Sequence, residues 1–240
     1  KTLLESLGCN VFYDGTGKSI SLKMGNEVSF VANYEIVKKM RASILVLGPL
    51  LARFGQATVA LPGGCAIGAR PVNLHLMALE ALGARFTIEN GYVKGKVNGS
   101  LQGCKIIFPF VSVGATANTI MAAVLANGTT ELINAAKEPE IIDLCECLQS
   151  MGCNIEGAGE NRIIIDGIKN LEETIHKVVM DRIELGTYII AGAISNGDIK
   201  LTGGNIALLE NFIDKLYEVG VEVSQFNDHL RVRRIKSSSI

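Results

Sequence analysis

LMALEALGARFTI, residues 76–88, predicts an amphipathic helix, a glycine that ends it and a strand with alternating side chains. The same pattern recurs in three further stretches: LLESLGCNVFY (3–13), LCECLQSMGCNIE (144–156) and FIDKLYEVGVEVS (212–224). The patterns place their glycines at Gly8, Gly83, Gly152 and Gly220, roughly 70 residues apart. A period of this length indicates a repeated supersecondary unit.

A second element keeps the same period and consists of a helix of small and aliphatic residues, a glycine and a β-branched strand. It occurs in MRASILVLGPLLARFGQATVAL (40–61), TANTIMAAVLANGTTELI (116–133) and GTYIIAGAISNGDIKLT (186–202). Because these helices carry apolar residues nearly all round, we expect them to be buried, with Gly55, Gly128 and Gly197 as their C-caps. The prediction is an α/β fold of repeated βαβαββ units around buried helices, rather than an alternating parallel βαβ run.

The repeats also predict where the chain divides. One unit closes after IIIDGI and the next opens at DRIELGTY, which places a boundary between residues 171 and 180. We therefore assign residues 1–175 to most of one domain and residues 176–240 to the opening part of a second. Because the chain starts and stops inside a unit, we expect it to be truncated at both ends, with a frayed polar tail at residues 236–240.

Composition narrows the class of protein. With 23 basic and 24 acidic residues the formal net charge is −1, so no chain-wide field favours a nucleic acid or an anionic membrane. The uncharged stretch 106–130 is interrupted by Pro109, Gly114 and Asn118, which argues against a membrane-spanning helix despite a mean hydropathy of +0.30. No secretory segment is recognisable. These features favour a cytoplasmic protein that binds neither nucleic acid nor membrane.

The six cysteines admit two interpretations. A disulfide framework is disfavoured, because the chain is long enough to fold on its apolar core alone. The pair Cys145-x-Cys147 could belong to a metal site, but positions two apart on a helix point to different faces. We therefore favour reduced core thiols over a metal site.

The stretch LPGGCAIGARPVNLH, residues 61–75, interrupts the repeat pattern and carries the most chemical character. Its glycines let the backbone approach a ligand, and Arg70 follows Cys65 by five residues. A reactive thiol beside an anion would have this pattern, because Arg70 can hold a phosphate or carboxylate and lower the pKa of the thiol. From the residues alone, a small Cys65 in a tight turn fits equally well.

Two helix starts are further candidates for anion binding. Ser112-Val113-Gly114 precedes a predicted buried helix, whose free amides and dipole would attract a diphosphate. The alternative is that Ser112 serves only as an N-cap. Arg41 opens another buried helix in KKMRAS, where a solvated basic face is the alternative.

These stretches together resemble a known family. LPGGCAIGARPVNLHL, with KKMRAS before it and VSVGAT after it, is similar to the enolpyruvyl transferases that act on UDP-N-acetylglucosamine. The resemblance continues through NGYVKGKV, AAKEPEIIDL and DRIELGTY, over nearly the whole chain. It implies two domains of three βαβαββ units each, an inside-out α/β barrel that is incomplete here, with the active site in the cleft between the domains.

The resemblance also implies an activity and its residues. The substrates would be phosphoenolpyruvate and UDP-N-acetylglucosamine, with no cofactor and no metal. Cys65 matches the cysteine that protonates the methylene carbon of phosphoenolpyruvate, forms a phospholactoyl thioether and is alkylated by fosfomycin. Arg41 and Arg70 match arginines that neutralise phosphate. Two matching segments would hold UDP-N-acetylglucosamine: Arg70, Pro71, Val72, Asn73 and Leu74, and Phe110, Val111, Ser112 and Val113.

Three positions depart from the family pattern. Asn73 stands where Asp is common, Phe110 where Lys is common and Lys137 where Arg is common. Asn73 can still hydrogen-bond a uracil or ribose, whereas Phe110 leaves the nucleotide contact there to backbone groups. The family's Lys-Asn pair near the start and its Asp and Arg near the end have no counterpart in these residues. A non-catalytic fragment with a sugar-nucleotide surface, or an enolpyruvyl transferase with another acceptor, are therefore the alternatives.

Overall fold

The computed structural model describes residues 1–61 and 71–234. The chain forms two compact units, Lys1–His176 and Lys177–Ile240. The polar tail that we expect to fray, residues 236–240, lies outside the described residues. The assignment of residues 1–175 and 176–240 to two enolpyruvyl transferase domains stays a prediction.

The first unit opens with half of a repeat: α1 (Thr2–Ser6), β1 (Cys9–Tyr13) and β2 (Ile20–Met24). The two strands pair antiparallel. Gly8 lies between α1 and β1 with φ +93°, and a Cβ there would collide with the backbone of Glu27. Only glycine therefore fits the turn from this helix to this strand.

The first complete repeat follows: β3 (Val31–Ala32), α2 (Tyr34–Val37), a 3-10 helix (Arg41–Val46) that runs into α3 (Leu47–Phe54), β4 (Gln56–Ala60), α4 (Asn73–Ala81), β5 (Ala84–Glu89) and β6 (Tyr92–Val97). Its strands lie in the order β3-β4-β6-β5. The β3–β4 pair is parallel and the other two pairs are antiparallel.

The second repeat has the same topology: β7 (Lys105–Ile107), α5 (Val113–Ala123), β8 (Thr129–Ile133), α6 (Pro139–Ser150), β9 (Asn154–Glu156) and β10 (Arg162–Asp166). Its strand order is β7-β8-β10-β9, again with one parallel pair followed by two antiparallel pairs. The predicted βαβαββ unit is therefore confirmed, and a doubly wound parallel sheet is excluded for the described part of the chain.

The second unit holds most of a further repeat: α7 (Arg182–Ile194), β11 (Asp198–Thr202), a 3-10 helix (Ile206–Leu208), α8 (Glu210–Glu218), β12 (Val221–Gln225) and β13 (His229–Arg234). The strand order β11-β13-β12 matches the last three strands of the earlier sheets. Both strand pairs are antiparallel. The described strands of this unit form an open sheet, which agrees with an incomplete fold.

The glycines that follow the surface helices behave as predicted, but those after the small-residue helices do so only in part. Gly55 is the left-handed C-cap of α3. Helix α5, however, ends at Ala123, so Gly128 instead shapes the turn into β8. After α7 the left-handed position is taken by Asn196, with φ +54°, because an asparagine side chain tolerates this conformation. Gly197 instead donates its amide to the Gly192 carbonyl in that cap.

Burial of the small-residue helices is likewise confirmed for α5 and only partly for α7. One face of α7, including Ile189, is buried in the core of the second unit. On the opposite face Ile190 is 43% and Ile194 is 76% exposed. The prediction of burial is therefore correct for one side of α7 only, because one sheet and α8 cover a single side of the helix.

Candidate functional site

The amino end of α5 has the geometry of an anion site. Ser112 is its N-cap, and the Ser112 hydroxyl oxygen accepts a hydrogen bond from the Ala115 amide at 3.3 Å. The Thr116 amide bonds to the Ser112 carbonyl. Within the part of the chain that the structure describes, this leaves the amides of Val113 and Gly114 without a partner, as expected of the first residues of a helix. Two donors and the positive end of the dipole therefore point outward.

The segment 71–74, which runs into the first turn of α4, alternates between solvent and core. Pro71 and Asn73 are exposed, whereas Val72 and Leu74 are 9% and 5% exposed and belong to the main core. Of the predicted nucleotide-binding side chains, only those of Pro71 and Asn73 are thus accessible here. Val72 and Leu74 can contribute backbone groups alone.

His75 joins the starts of α4 and α5. It is 3% exposed, and its Nδ1 lies 3.1 Å from Asn118 Nδ2 on α5. The other edge of the imidazole faces Gly114: a Cβ built at Gly114 would lie 3.1 Å from His75 Cε1 and 3.2 Å from Nε2. The absence of a side chain at Gly114 therefore lets the ring pack against the first turn of α5.

Asn118 is fully buried and links α5 to a third helix, α3. Its Oδ1 accepts the Gly48 amide at 2.8 Å, and its Nδ2 donates to the Ile44 carbonyl at 3.2 Å. Gly48 cannot carry a side chain, since a Cβ there would lie 2.5 Å from Asn118 Oδ1. The two hydrogen bonds of Asn118 therefore fix the start of α3 against α5.

Arg41 lies at the start of the 3-10 helix that leads into α3. Its charge reaches His75: burial, with a smaller contribution from Arg41, lowers the pKa of the imidazole from 6.5 to about 4. His75 is therefore neutral at pH 7. Arg41 therefore lies within electrostatic range of His75, a residue that follows segment 71–74 in the chain and faces Gly114, the residue after segment 110–113.

Phe110 and Val111, which precede the N-cap of α5, are 56% and 50% exposed. Two exposed apolar side chains therefore stand just before the N-cap of α5 in the chain. Cys65 and Arg70, the other predicted members of the site, lie outside the described residues.

The sequence reasoning missed two residues of this cluster, His75 and Asn118. The signal that could have found Asn118 is its position: an amide in the middle of a small apolar helix must be paired when that helix is buried. His75 ends the glycine-rich stretch, but only the fold brings its ring to α5.

The preference for core thiols holds only in part. The described cysteines are all unpaired; Cys145 and Cys153 are buried, whereas Cys9, Cys104 and Cys147 are only partly buried. Burial raises the pKa of Cys145 to about 11, so it stays a thiol at neutral pH. Across residues 1–61 and 71–234, no three His, Cys, Asp or Glu side chains come together as a metal site would require. In the same ranges, every helix is too short or too polar to span a bilayer.

Comparison with known proteins identifies the family of this chain. The family model described as EPSP synthase (3-phosphoshikimate 1-carboxyvinyltransferase) matches residues 1–240, and the chain belongs to this family. Solved structures share the fold: an enolpyruvyl transferase from Streptomyces tendae has a TM-score of 0.82 at 21% identity, over 97% of this chain and 56% of that chain. An EPSP synthase from Acinetobacter baumannii has a TM-score of 0.69 at 19% identity, over 97% and 55%.

Within the family, the chain is similar to curated proteins named UDP-N-acetylglucosamine 1-carboxyvinyltransferase. The protein from Dinoroseobacter shibae is 55% identical and that from Paracoccus denitrificans 54% identical, each over 97% of this chain and 55% of the relative. The chain thus spans about half the length of these relatives. The resemblance seen in the sequence is confirmed.

Proposed function

We propose that the protein transfers the enolpyruvyl group of phosphoenolpyruvate to the 3-hydroxyl of UDP-N-acetylglucosamine and releases phosphate, the first committed step of peptidoglycan synthesis. The observation that carries the proposal is the 55% identity, over 97% of this chain, to a protein named for that reaction. The start of α5 supports it, because it offers amides and a helix dipole to an anionic ligand beside residues 71–74.

In this proposal the diphosphate of the nucleotide sugar lies at the amino end of α5. The amides of Val113 and Gly114 donate to it, and the backbone of residues 71–74 holds the nucleotide with the exposed Asn73 side chain. Phe110 offers an apolar surface and no charge. The charge of the phosphate groups is then met by Arg41 and Arg70.

The chemistry assigned to the site is addition followed by elimination. The Cys65 thiol gives its proton to the methylene carbon of phosphoenolpyruvate, while the 3-hydroxyl oxygen bonds to the enol carbon and its own proton passes to a base. The carbon–oxygen bond to phosphate then breaks as the new methyl group loses a proton, which restores the double bond. An unperturbed thiol has a pKa of about 8.5 and is mostly protonated at neutral pH, which suits the acid. Arg41 and Arg70 stabilise the departing phosphate.

The proposal is tested by phosphate release from phosphoenolpyruvate and UDP-N-acetylglucosamine, with the natural polypeptide that contains these residues. Cys65→Ser should abolish turnover, whereas Cys65→Asp should keep an acid in place, retain part of the activity and resist fosfomycin. The control Cys9→Ser changes a partly buried thiol that the proposal does not use, and should leave turnover unchanged.

Three results would count against the proposal. Fosfomycin sensitivity of Cys65→Asp equal to that of the parent would mean that another residue is alkylated. Binding of UDP-N-acetylglucosamine without any phosphate release by the parent would favour the non-catalytic alternative. Release with a different acceptor alone would favour the third interpretation.

A further inference from the structure

The helix that carries Arg41 has an unusual start. Residues Arg41–Val46 form a 3-10 helix of six residues that runs directly into α3. Stretches of 3-10 helix longer than about four residues are uncommon, because their hydrogen bonds have poorer geometry than those of an α-helix. A stretch of this length points to a contact that stabilises the 3-10 form over a continuous α-helix.

The side-chain amide of Asn118 provides that contact. In an uninterrupted α-helix the Gly48 amide would donate to the Ile44 carbonyl, four residues earlier. Here the Gly48 amide donates to Asn118 Oδ1 at 2.8 Å, and the Ile44 carbonyl accepts from Asn118 Nδ2 at 3.2 Å. The same carbonyl accepts from the Leu47 amide, three residues on, which is the 3-10 pattern. Asn118 thus inserts a carboxamide between the donor and the acceptor of one helical turn, and such insertions change the geometry of a helix locally.

The close packing of α3 on α5 makes the insertion possible. A Cβ at Gly48 would lie 2.4 Å from the carbonyl oxygen of Asn118 and 2.5 Å from its Oδ1. A larger residue would therefore separate the two helices and withdraw the amide from the gap. Because Asn118 is fully buried, its amide must be paired inside the protein, and the gap between Gly48 and Ile44 supplies a donor and an acceptor.

We propose that Asn118 is a positioning residue for Arg41: its inserted amide keeps residues 41–46 in the 3-10 form and thereby sets where the Arg41 guanidinium lies. In this proposal Asn118 touches no substrate and acts through Arg41. The placement of Arg41 is argued from the hydrogen bonds alone, whereas its effect on turnover rests on the proposed function, in which Arg41 meets the charge of phosphate.

The size of the effect follows from the difference between the two helical forms. A 3-10 helix rises about 2.0 Å per residue and an α-helix about 1.5 Å, so conversion of the three steps from Arg41 to Ile44 would move Arg41 by about 1.5 Å along the axis. The rotation per residue would fall from about 120° to about 100°, which turns the side chain by about 60° over the same steps. Misplacement of a substrate-positioning group by about 1 Å can cost up to about 100-fold in rate.

Asn118→Leu tests the proposal, because leucine has nearly the same shape and makes neither hydrogen bond. Without the amide, the Gly48 amide can bond to the Ile44 carbonyl only if the turn that carries Arg41 moves. With the natural polypeptide that contains these residues, we expect kcat/KM for phosphoenolpyruvate in phosphate release to fall at least about tenfold. In the background Arg41→Ala the same substitution should lower kcat/KM by less than about threefold, because the contribution of Arg41 is already lost.

The matched control is Thr119→Val, on the same helix. Thr119 is also fully buried, but its hydroxyl donates to the Ala115 carbonyl of α5 itself, at 2.7 Å. The substitution should therefore change kcat/KM by no more than about twofold in either background. An unchanged kcat/KM in Asn118→Leu would overturn the proposal. Equal losses from Asn118→Leu in the parent and in Arg41→Ala would also overturn it, because they would mean a general structural role.

A second variant covers the case in which Asn118→Leu does not fold. Gly48→Ala drives the amide out of the gap from the opposite side, since its Cβ would lie 2.5 Å from Asn118 Oδ1. It should show the same dependence on Arg41. A loss of kcat/KM that is equal with and without Arg41 would refute the proposal here too.

A crystal structure of Asn118→Leu separates the inference from the proposed function. It should show the Gly48 amide nitrogen about 2.9 Å from the Ile44 carbonyl oxygen, and Arg41 displaced by about 1.5 Å relative to α5. An unchanged 3-10 helix would overturn the inference, whatever the kinetics show. A displaced Arg41 together with a parent that releases no phosphate would keep the placement of Arg41 by Asn118 and reject the proposed reaction.

Discussion

Replacement of Asn118 by alanine should destabilise the first unit more than any surface substitution. The side chain is fully buried and satisfies three groups: the Gly48 amide at 2.8 Å, the Ile44 carbonyl at 3.2 Å and His75 Nδ1 at 3.1 Å. Each buried polar group that loses its partner costs about 1–3 kcal/mol. We expect Asn118→Ala to lower the free energy of unfolding by about 3–5 kcal/mol, because water entering the vacated space recovers part of the loss.

The assay is urea unfolding followed by far-UV circular dichroism. Because the two units can unfold separately, hydrogen exchange of the α5 amides, measured by mass spectrometry, should accompany it. The control is Asn154→Ala, which removes an exposed asparagine that donates one hydrogen bond to Asp166 at 2.7 Å. It should change stability by no more than about 0.5 kcal/mol.

The reasoning is refuted if Asn118→Ala costs less than about 1 kcal/mol, or no more than Asn154→Ala. Either result would mean that the three partners find other hydrogen bonds.

Three further predictions concern stability and association. Burial lowers the pKa of His75 from 6.5 to about 4. Between these two pH values the unfolded chain binds a proton that the folded chain does not. The free energy of unfolding should therefore fall as the pH drops through this range, by up to about 1.4 kcal/mol per pH unit. His75→Gln should remove this pH dependence of the free energy of unfolding, as measured by urea titrations at several pH values. An unchanged dependence on pH would contradict its attribution to His75. Gly48→Ala should lower the thermal midpoint, since its Cβ would lie 2.5 Å from a buried amide oxygen. Gly186→Ala, whose Cβ meets its nearest atoms at 3.7 Å, should be neutral or stabilising, and a similar loss in both would argue against the steric reason. Finally, the 240-residue chain should self-associate through the exposed side of α7. The double substitution Ile190→Glu with Ile194→Glu should reduce the association, as measured by sedimentation velocity. A monomeric parent chain would contradict this prediction.

Part of the candidate site could be predicted without coordinates. Arg41 and Ser112 were expected at helix starts, and both lie there. The sequence could not show that the side chains of Val72 and Leu74 point into the core, because exposure depends on which elements cover a segment. Their assignment to nucleotide binding, like that of the other site residues, stays a prediction.

By itself, the sequence determined the repeated unit. The glycines between surface helices and strands need positive φ, as the +105° of Gly83 and the +98° of Gly152 show, and few other residues tolerate it. Helical and strand periodicities are local properties of the chain, so the βαβαββ order follows from them directly.

Only the tertiary structure decided how the helices of the repeats meet. The contact between His75 and Asn118 joins residues 43 positions apart, and the contact between Asn118 and Gly48 joins residues 70 apart. No periodicity encodes such pairs, because a buried amide can be satisfied by any neighbour that packing brings within 3 Å or so. The same holds for α7: its composition suits a buried helix, yet burial requires a second surface, and in this unit only one side of the helix has it.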